Sequence, residues 1–589
     1  MLKFLRRLLF TTIGAIVTAL FIVLFFFLGI LTVASLSSDS EVTVEDNSIL
    51  VVDLNSVIKE RVNEDPFTQL IGESPFGEAQ LGLNQILKSL KKAATDDRIK
   101  GIVIESGTPQ AGIATIDEIR NALKTVKDSG KFIYAFAPIY TQTGYYLSSV
   151  ADKVYMPPQG MLEYKGLSSQ RTFFKGSLEK LGVEMQIFKH GKFKSAVEPF
   201  MLDHMSKESK KQTSVYIGSI WDYMKEQISE SRGISIETLN RLADNSSMFN
   251  DNQILLDNKL VDGLWYKDQL LDELKKITDT ELNDDLASVS LSDYKSAKVK
   301  KKSKGFTKDK IAVIYAEGGI DDGSDDGINS EKLSKTIRKA RRDSSIKAVV
   351  FRINSPGGSG MGSDVIWREV KLCQQEKPVI VSMGDYAASG GYYIACCADT
   401  IVASPVTLTG SIGVFGMIPN AEKLLTNKLG MTFDGVKTNT YADFPMINRA
   451  MRKDEKAMMQ TSVEKFYKVF IGRCAEGRST SSEAIDEIGQ GRVWSGENAT
   501  HINLVDVLGG IDTAIEIAKE KAGLEKYRIK ELPEQKSPFE EIFSGMGAQA
   551  KAFAAQTFLG VNYEEIKLMN QIKEIQPIQA RLPYSIEIR

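Results

Sequence analysis

Histidine is nearly absent from these 589 residues: there are three, His190, His204 and His501. None stands in metal-ligand spacing with a cysteine or with another histidine, so a zinc site is a poor expectation, and a Ser-His-Asp triad equally so. Cysteine is almost as scarce, with Cys373, Cys396, Cys397 and Cys474. A bridge between adjacent cysteines is strained, and Cys396 and Cys397 sit in an apolar run, so they read as buried thiols. A pairing of Cys373 with one of the others stays open. Excess charge is missing too. With 74 basic against 76 acidic residues, a net charge of −2, nucleic acid or an acidic surface is not the expected main partner. At this length, with 42% hydrophobic residues, one core is too few and two or more domains are expected.

Charge is also missing from one long stretch. Leu8 to Leu36 runs without an ionisable residue, longer than the ~20 residues that span a bilayer and than the roughly 7–15 of a signal-peptide core. It reads as an uncleaved anchor in contact with the lipid bilayer through residues 8–36. Lys3, Arg6 and Arg7 keep the N-terminus cytoplasmic. In a bacterium the remainder would then lie on the periplasmic face of the inner membrane.

What the chain has in abundance is itself. "LKKAATDDRIKGIVI" (90–104) and "IRKARRDSSIKAVVF" (337–351) align at one offset, which also carries "QTGYYLSSVADKVY" (142–155) onto "SGGYYIACCADTIV" (389–402). "LGVEMQIFK" answers "LGMTFDGVK", and "NKLVDGL" answers "INLVDVL". Four matches in the same order mark a duplication. Short apolar strands alternate with amphipathic helices in each copy, the α/β pattern. The expected organisation is a stub and anchor over 1–40, a first copy over 41–291, a lysine-rich solvated linker over 292–308, a second copy over 309–523, and a tail of mixed helix and loop over 524–589.

The copies differ where chemistry would sit. "MGDYAASGGYYIACCAD" (383–399) sets Ser389 among small residues, whereas the first copy has Gln142 and Thr143 where the second has Ser389 and Gly390. If packing alone required small residues, both copies should keep them. A serine hydroxyl needs a base, and with histidine scarce lysine is the natural one. Its ordinary pKa near 10.4 must fall by about 3 units, worth roughly 4 kcal/mol, through desolvation. "FKHGKFKSAVEPF" offers Lys189, Lys192 and Lys194. Lys189 is matched by Lys437 in the second copy, and composition favours Lys194 only modestly over Lys192. His190 reads as a structural histidine, Arg492 and Trp494 as packing, and Asp385 with Tyr386 as a solvent-facing turn.

Together "KSAVEPF", "RINSPGG", "MGDYAASGGYYIA", "TLTGSIGVFG" and "GRVWSGENA" resemble the long, tandem form of the signal peptide peptidase A (protease IV) family, from the anchor to about Gly523. The resemblance implies Ser389 as nucleophile, Lys194 as general base and Ser411 as a hydrogen-bond partner of that lysine. It also implies a fold like the Clp protease and crotonase superfamily, with the two copies completing one site. Acyl transfer further needs backbone N–H donors for the oxyanion. "NSPGGSG" after the strand "AVVFRI" supplies Gly358 and Gly357, to act with Gly390. The first copy reads "ESGTPQAG" there, without adjacent glycines.

The expectation is therefore a membrane-anchored serine endopeptidase with a Ser-Lys dyad, free of cofactor and metal. By resemblance it would cut signal peptides and other apolar peptides and assemble as a homotetramer. Two rivals are a crotonase-like acyl-CoA enzyme and a non-catalytic membrane scaffold.

Overall fold

The computed structural model describes residues 42–62, 80–245, 251–299, 307–321, 327–535 and 578–581, with Gly14, Thr18, Phe21 and Phe25 of the N-terminal run. The expected anchor otherwise lies outside the described residues. Among those described, no helix is long and apolar enough to cross a membrane.

Runs such as "SILVV", "IKGIVI", "KIAVIYAE" and "IKAVVFRINS" are rich in β-branched residues and buried almost throughout. Strands covered on both faces belong to parallel sheets flanked by helices. Two such sheets form. In the first, the strands lie in the order Gly263–Leu264, Lys153–Met156, Phe132–Phe136, Ile99–Ile104, Ser48–Val52, Ser288–Ser290, and all five pairings are parallel. In the second, six strands repeat this order, Val507–Leu508, Thr400–Ala403, Val379–Ala388, Ile346–Ser355, Lys310–Glu317, Arg528–Leu532, with parallel pairings; Leu408–Gly410 pairs parallel with the end of Val379–Ala388, and Val493–Ser495 adds to it antiparallel. One strand order has been built twice. The strand Arg528–Leu532 comes from the segment read as helix and loop; it closes the edge of the second sheet, as Ser288–Ser290 closes the first.

The helices follow their sequence pattern. In Ser330–Arg342, Leu333, Ile337 and Ala340 recur at helical spacing and are buried. Asn329 caps the first turn by accepting from the Lys332 N–H at 3.0 Å, and Lys339, Arg341 and Arg342 face the negative end of the helix dipole. The copies share a core: Leu123, Ile116 and Tyr146 of the first lie in one apolar cluster with Ile311, Val350 and Ile380 of the second.

A third sheet positions the site. Glu184–His190 of the first copy pairs antiparallel with Val414–Asn420 of the second, from Val414 opposite His190 to Asn420 opposite Glu184. Beyond Val414–Asn420 lie Ile578–Arg581 and then Gly357–Ser359.

Candidate active site

Strand Val379–Ala388 ends at Ser389, and a helix, Gly390–Ala395, begins immediately after it. Ser389 makes this turn at φ 57° and ψ −115°, a region that a residue bearing Cβ occupies only under strain. Its N–H donates to the Gly410 carbonyl at 2.8 Å, and its own carbonyl accepts from the Tyr393 N–H at 2.9 Å. The backbone is thus pinned on both sides while the hydroxyl is left to side-chain partners. One small neighbour is small for packing: a Cβ on Gly391 would meet the Ser355 carbonyl at 2.6 Å.

Lys194 arrives from the first copy, four residues beyond the strand that crosses to the second. Its amine donates to Ser389 Oγ at 2.8 Å, to Ser411 Oγ at 3.1 Å and to the Ser411 carbonyl at 3.2 Å. Lys194, Ser389 and Ser411 are all buried, at 1%, 0% and 2% exposure. Burial pushes the Lys194 pKa down from 10.5 to about 7. The pocket is tight because glycines line it. A Cβ on Gly491 would lie 2.6 Å from Lys194 Cα, and one on Gly413 would lie 3.2 Å from Lys194 Cδ. These belong to "GRVW" and "TGSIG", so both motifs wall the lysine. Arg492 lies over the Trp494 ring at 3.8 Å and accepts the Ser411 N–H through its carbonyl at 2.7 Å. Lys192 is not among the partners of Ser389; it lies over the Phe193 ring.

The glycine loop departs in one respect from expectation. Gly357 donates its N–H to Ser355 Oγ at 3.2 Å, so this donor is spent within the loop. Gly358 lies so close to Ile320 that a Cβ would meet the Ile320 carbonyl at 2.2 Å; only glycine fits. Gly390 opens the nucleophile helix, where the first-turn amides have no partner within the helix. Of the three amides expected to serve as donors, those of Gly358 and Gly390 remain.

A buried hydroxyl in contact with an amine whose pKa burial lowers to about 7 is suited to acyl transfer. Residues 125–281 and 371–525 each match Peptidase family S49. The chain belongs to that family. It is 35% identical over 534 residues to "Protease 4" of Salmonella typhi, covering 87% of this chain and 84% of that one. It is 33% identical to "Serine protease SPPA, chloroplastic" of Arabidopsis thaliana, covering 85% and 74%. A solved ClpP1 mutant from Listeria monocytogenes aligns at 16% identity and TM-score 0.23 over 34% of this chain and 91% of that one, which adds nothing to the strand order described above. This S49 chain is a serine peptidase in two tandem copies.

Sequence reading missed how the first copy braces the glycine loop. Glu60 accepts from Arg352 Nε at 2.8 Å and from Asn354 Nδ2 at 3.1 Å, and Glu118 faces Arg352 Nη1 at 2.7 Å. Burial opposes the charge on Arg352, but Glu118 and Glu60 outweigh it and hold its pKa above the ordinary value. Asn354 immediately precedes Ser355, whose hydroxyl holds the Gly357 N–H. Asp385 is no solvent-facing turn: it lies within strand Val379–Ala388 and accepts from the Thr115 N–H at 3.0 Å and hydroxyl at 2.7 Å, a bond between the copies. The sequence signal was available in "RIN" and "MGD", charged and polar residues inside apolar strands. The four cysteines are buried and unbridged, as the reading of buried thiols expected.

Proposed function

We propose that this peptidase is a membrane-anchored endopeptidase with a Ser389–Lys194 dyad, acting on apolar peptides such as cleaved signal peptides from the periplasmic face of a bacterial inner membrane. The observation that carries the dyad is the 2.8 Å contact between Lys194 Nζ and Ser389 Oγ in a buried pocket. Neutral Lys194 takes the Ser389 proton as Oγ attacks the scissile carbonyl. The oxyanion is held by the Gly358 and Gly390 amides. The protonated amine then gives its proton to the leaving nitrogen, which frees the first product and leaves an acyl-serine. Water, deprotonated by the same lysine, releases the second product. Ser411 steadies the amine through both transfers. The uncharged run 8–36 and its basic flank support the anchor and its orientation. The apolar substrate class and a homotetramer rest on family resemblance. A serine armed by a buried lysine favours this reading over an acyl-CoA enzyme.

A fluorophosphonate probe tests it together with turnover of a fluorogenic apolar peptide. Wild-type protein should label at Ser389 and cleave the peptide; Ser389→Ala should lose both, and Lys194→Ala should lose at least about 10³-fold in kcat. Unchanged cleavage by Lys194→Ala would reject the base.

A further inference from the structure

The Lys194 amine stays on Ser389 only while its own backbone turn is held, and one short segment of the second copy holds it. The Gln490 carbonyl accepts from the Phe193 N–H at 3.0 Å, and the Gly491 N–H donates to the Ile412 carbonyl at 2.7 Å. The Arg492 carbonyl accepts from the Ser411 N–H, also at 2.7 Å. The lysine turn and the Ser411 turn, both of which touch the amine, are thus fastened to consecutive residues. The next residue, Val493, is buried and gives its N–H to Gln212 Oε1 at 3.1 Å.

Gln212 comes from the first copy's helix Lys207–Arg232 and is 1% exposed. Its Nε2 carries the connection back to the lysine turn, donating to the Phe193 carbonyl at 2.9 Å and to Ser195 Oγ at 3.0 Å. One amide therefore holds the residues on both sides of Lys194. A primary amide has its N–H donors on one atom and its acceptor on the other. Here a carbonyl faces the nitrogen and an N–H faces the oxygen, so a single orientation satisfies both. An apolar side chain of similar length would leave the Val493 N–H buried without that acceptor. The charged groups that reach the turn offer an ammonium no counter-charge: Arg171 donates to Ser195 Oγ at 3.1 Å, and Lys192 and Arg492 lie over the Phe193 ring. Burial is what keeps the amine neutral, and burial lasts only while the turn stays closed.

We propose that Gln212 is a positioning residue of this active site: it locks the Phe193–Ser195 turn to Val493, and so holds the Lys194 amine against Ser389 and away from solvent. Ser195 is a lesser member of the same lock, since it receives one of the two donated bonds. This rests on the dyad reading, in which the neutral amine takes the Ser389 proton. A displacement of about 1 Å at a reacting group costs on the order of 10²-fold in rate. A loosened turn has a second consequence. Water reaching the amine returns its pKa toward the ordinary lysine value, about 10.4. Neither effect acts on substrate binding, so kcat and the pH profile should move while KM stays.

Full-length Gln212→Met tests this, since it keeps the side-chain length and removes the amide; Tyr216→Phe is its control. Tyr216 lies one turn on in the same helix, is buried, and its hydroxyl has no hydrogen-bond partner among the described residues. With a fluorogenic peptide near neutral pH, Gln212→Met should lower kcat by about 10–10²-fold with KM within about twofold. Labelling by the fluorophosphonate should slow in proportion. The inflection of kcat/KM against pH should lie about one pH unit or more above that of wild type. Ser195→Ala should show the same changes at smaller size, and it decides the matter if Gln212→Met does not fold. Tyr216→Phe should behave as wild type. An unmoved inflection overturns the proposal whatever kcat does, because a merely weakened fold lowers kcat without changing the titration of the sites that remain. Wild-type cleavage by Lys194→Ala is a different result: it would reject the dyad reading itself.

Discussion

Set side by side, Gln142 and Ser389 occupy one position in two copies of one strand order, yet they are held in opposite ways. Gln142 begins an ordinary helix capped by Thr141, which accepts from the Gly144 N–H at 3.2 Å. Its side chain is tied to the backbone, accepting from the Lys165 and Gly166 amides at 3.0 and 2.8 Å and donating to the Gly166 carbonyl at 3.1 Å. Ser389 opens the corresponding helix at positive φ, with its hydroxyl turned to a lysine. The next pair but one is alike: Gly144 and Gly391 each approach a carbonyl, with a Cβ at Gly144 meeting the Gly107 carbonyl at 2.0 Å. The glycine that both copies keep serves packing. The position that only one copy strains is the one that carries the hydroxyl. Duplication thus separates, within a single chain, what the fold requires from what the chemistry requires.

The largest expected effect breaks this contrast at the loop. Gly358→Ala should lower kcat by about 10²–10³-fold, because its Cβ has no room against Ile320, while Gln142→Ala should leave kcat within about twofold; steady-state kinetics on folded protein reads both. The next tests whether the first copy is more than scaffold. Glu60→Ala leaves Arg352 buried with only Glu118 opposite and should cost about 3 kcal/mol in denaturant unfolding. Removing an exposed pair between the same copies, Lys91→Ala opposite Asp512, should cost under about 1 kcal/mol. The smallest is a pH effect. The Lys194 pKa is lowered to about 7, and in the proposed dyad the catalytic form is the neutral one. The kcat/KM value should therefore rise about tenfold per pH unit below 7 and level off above it, whereas a lysine at its ordinary pKa would keep the rate climbing past pH 9.

Much of the site was legible because duplication supplies its own control. Ser389 stood out against Gln142, and the adjacent glycines against "ESGTPQAG". The division between Lys192 and Lys194 was not legible from composition, since both sit in one short polar segment; the turn after His190 decides which amine enters the pocket. Gly357 misled because adjacent glycines look equivalent in a string, whereas Ser355 takes the amide of one of them. The Glu60–Arg352–Asn354 brace was hidden because its members lie 292 and 294 positions apart, and no local pattern links them. The strand Arg528–Leu532 was missed because an edge strand with partly exposed residues has little apolar alternation to announce it.

By itself the sequence determined the doubling, the α/β alternation, the uncharged run and the asymmetry between copies, because each is a matter of composition and periodicity along the chain. Only the tertiary structure decided that an amine from one copy meets a hydroxyl from the other. That encounter depends on cross-copy strand pairing, and it matters because burying an ammonium without a counter-charge is what makes it give up its proton.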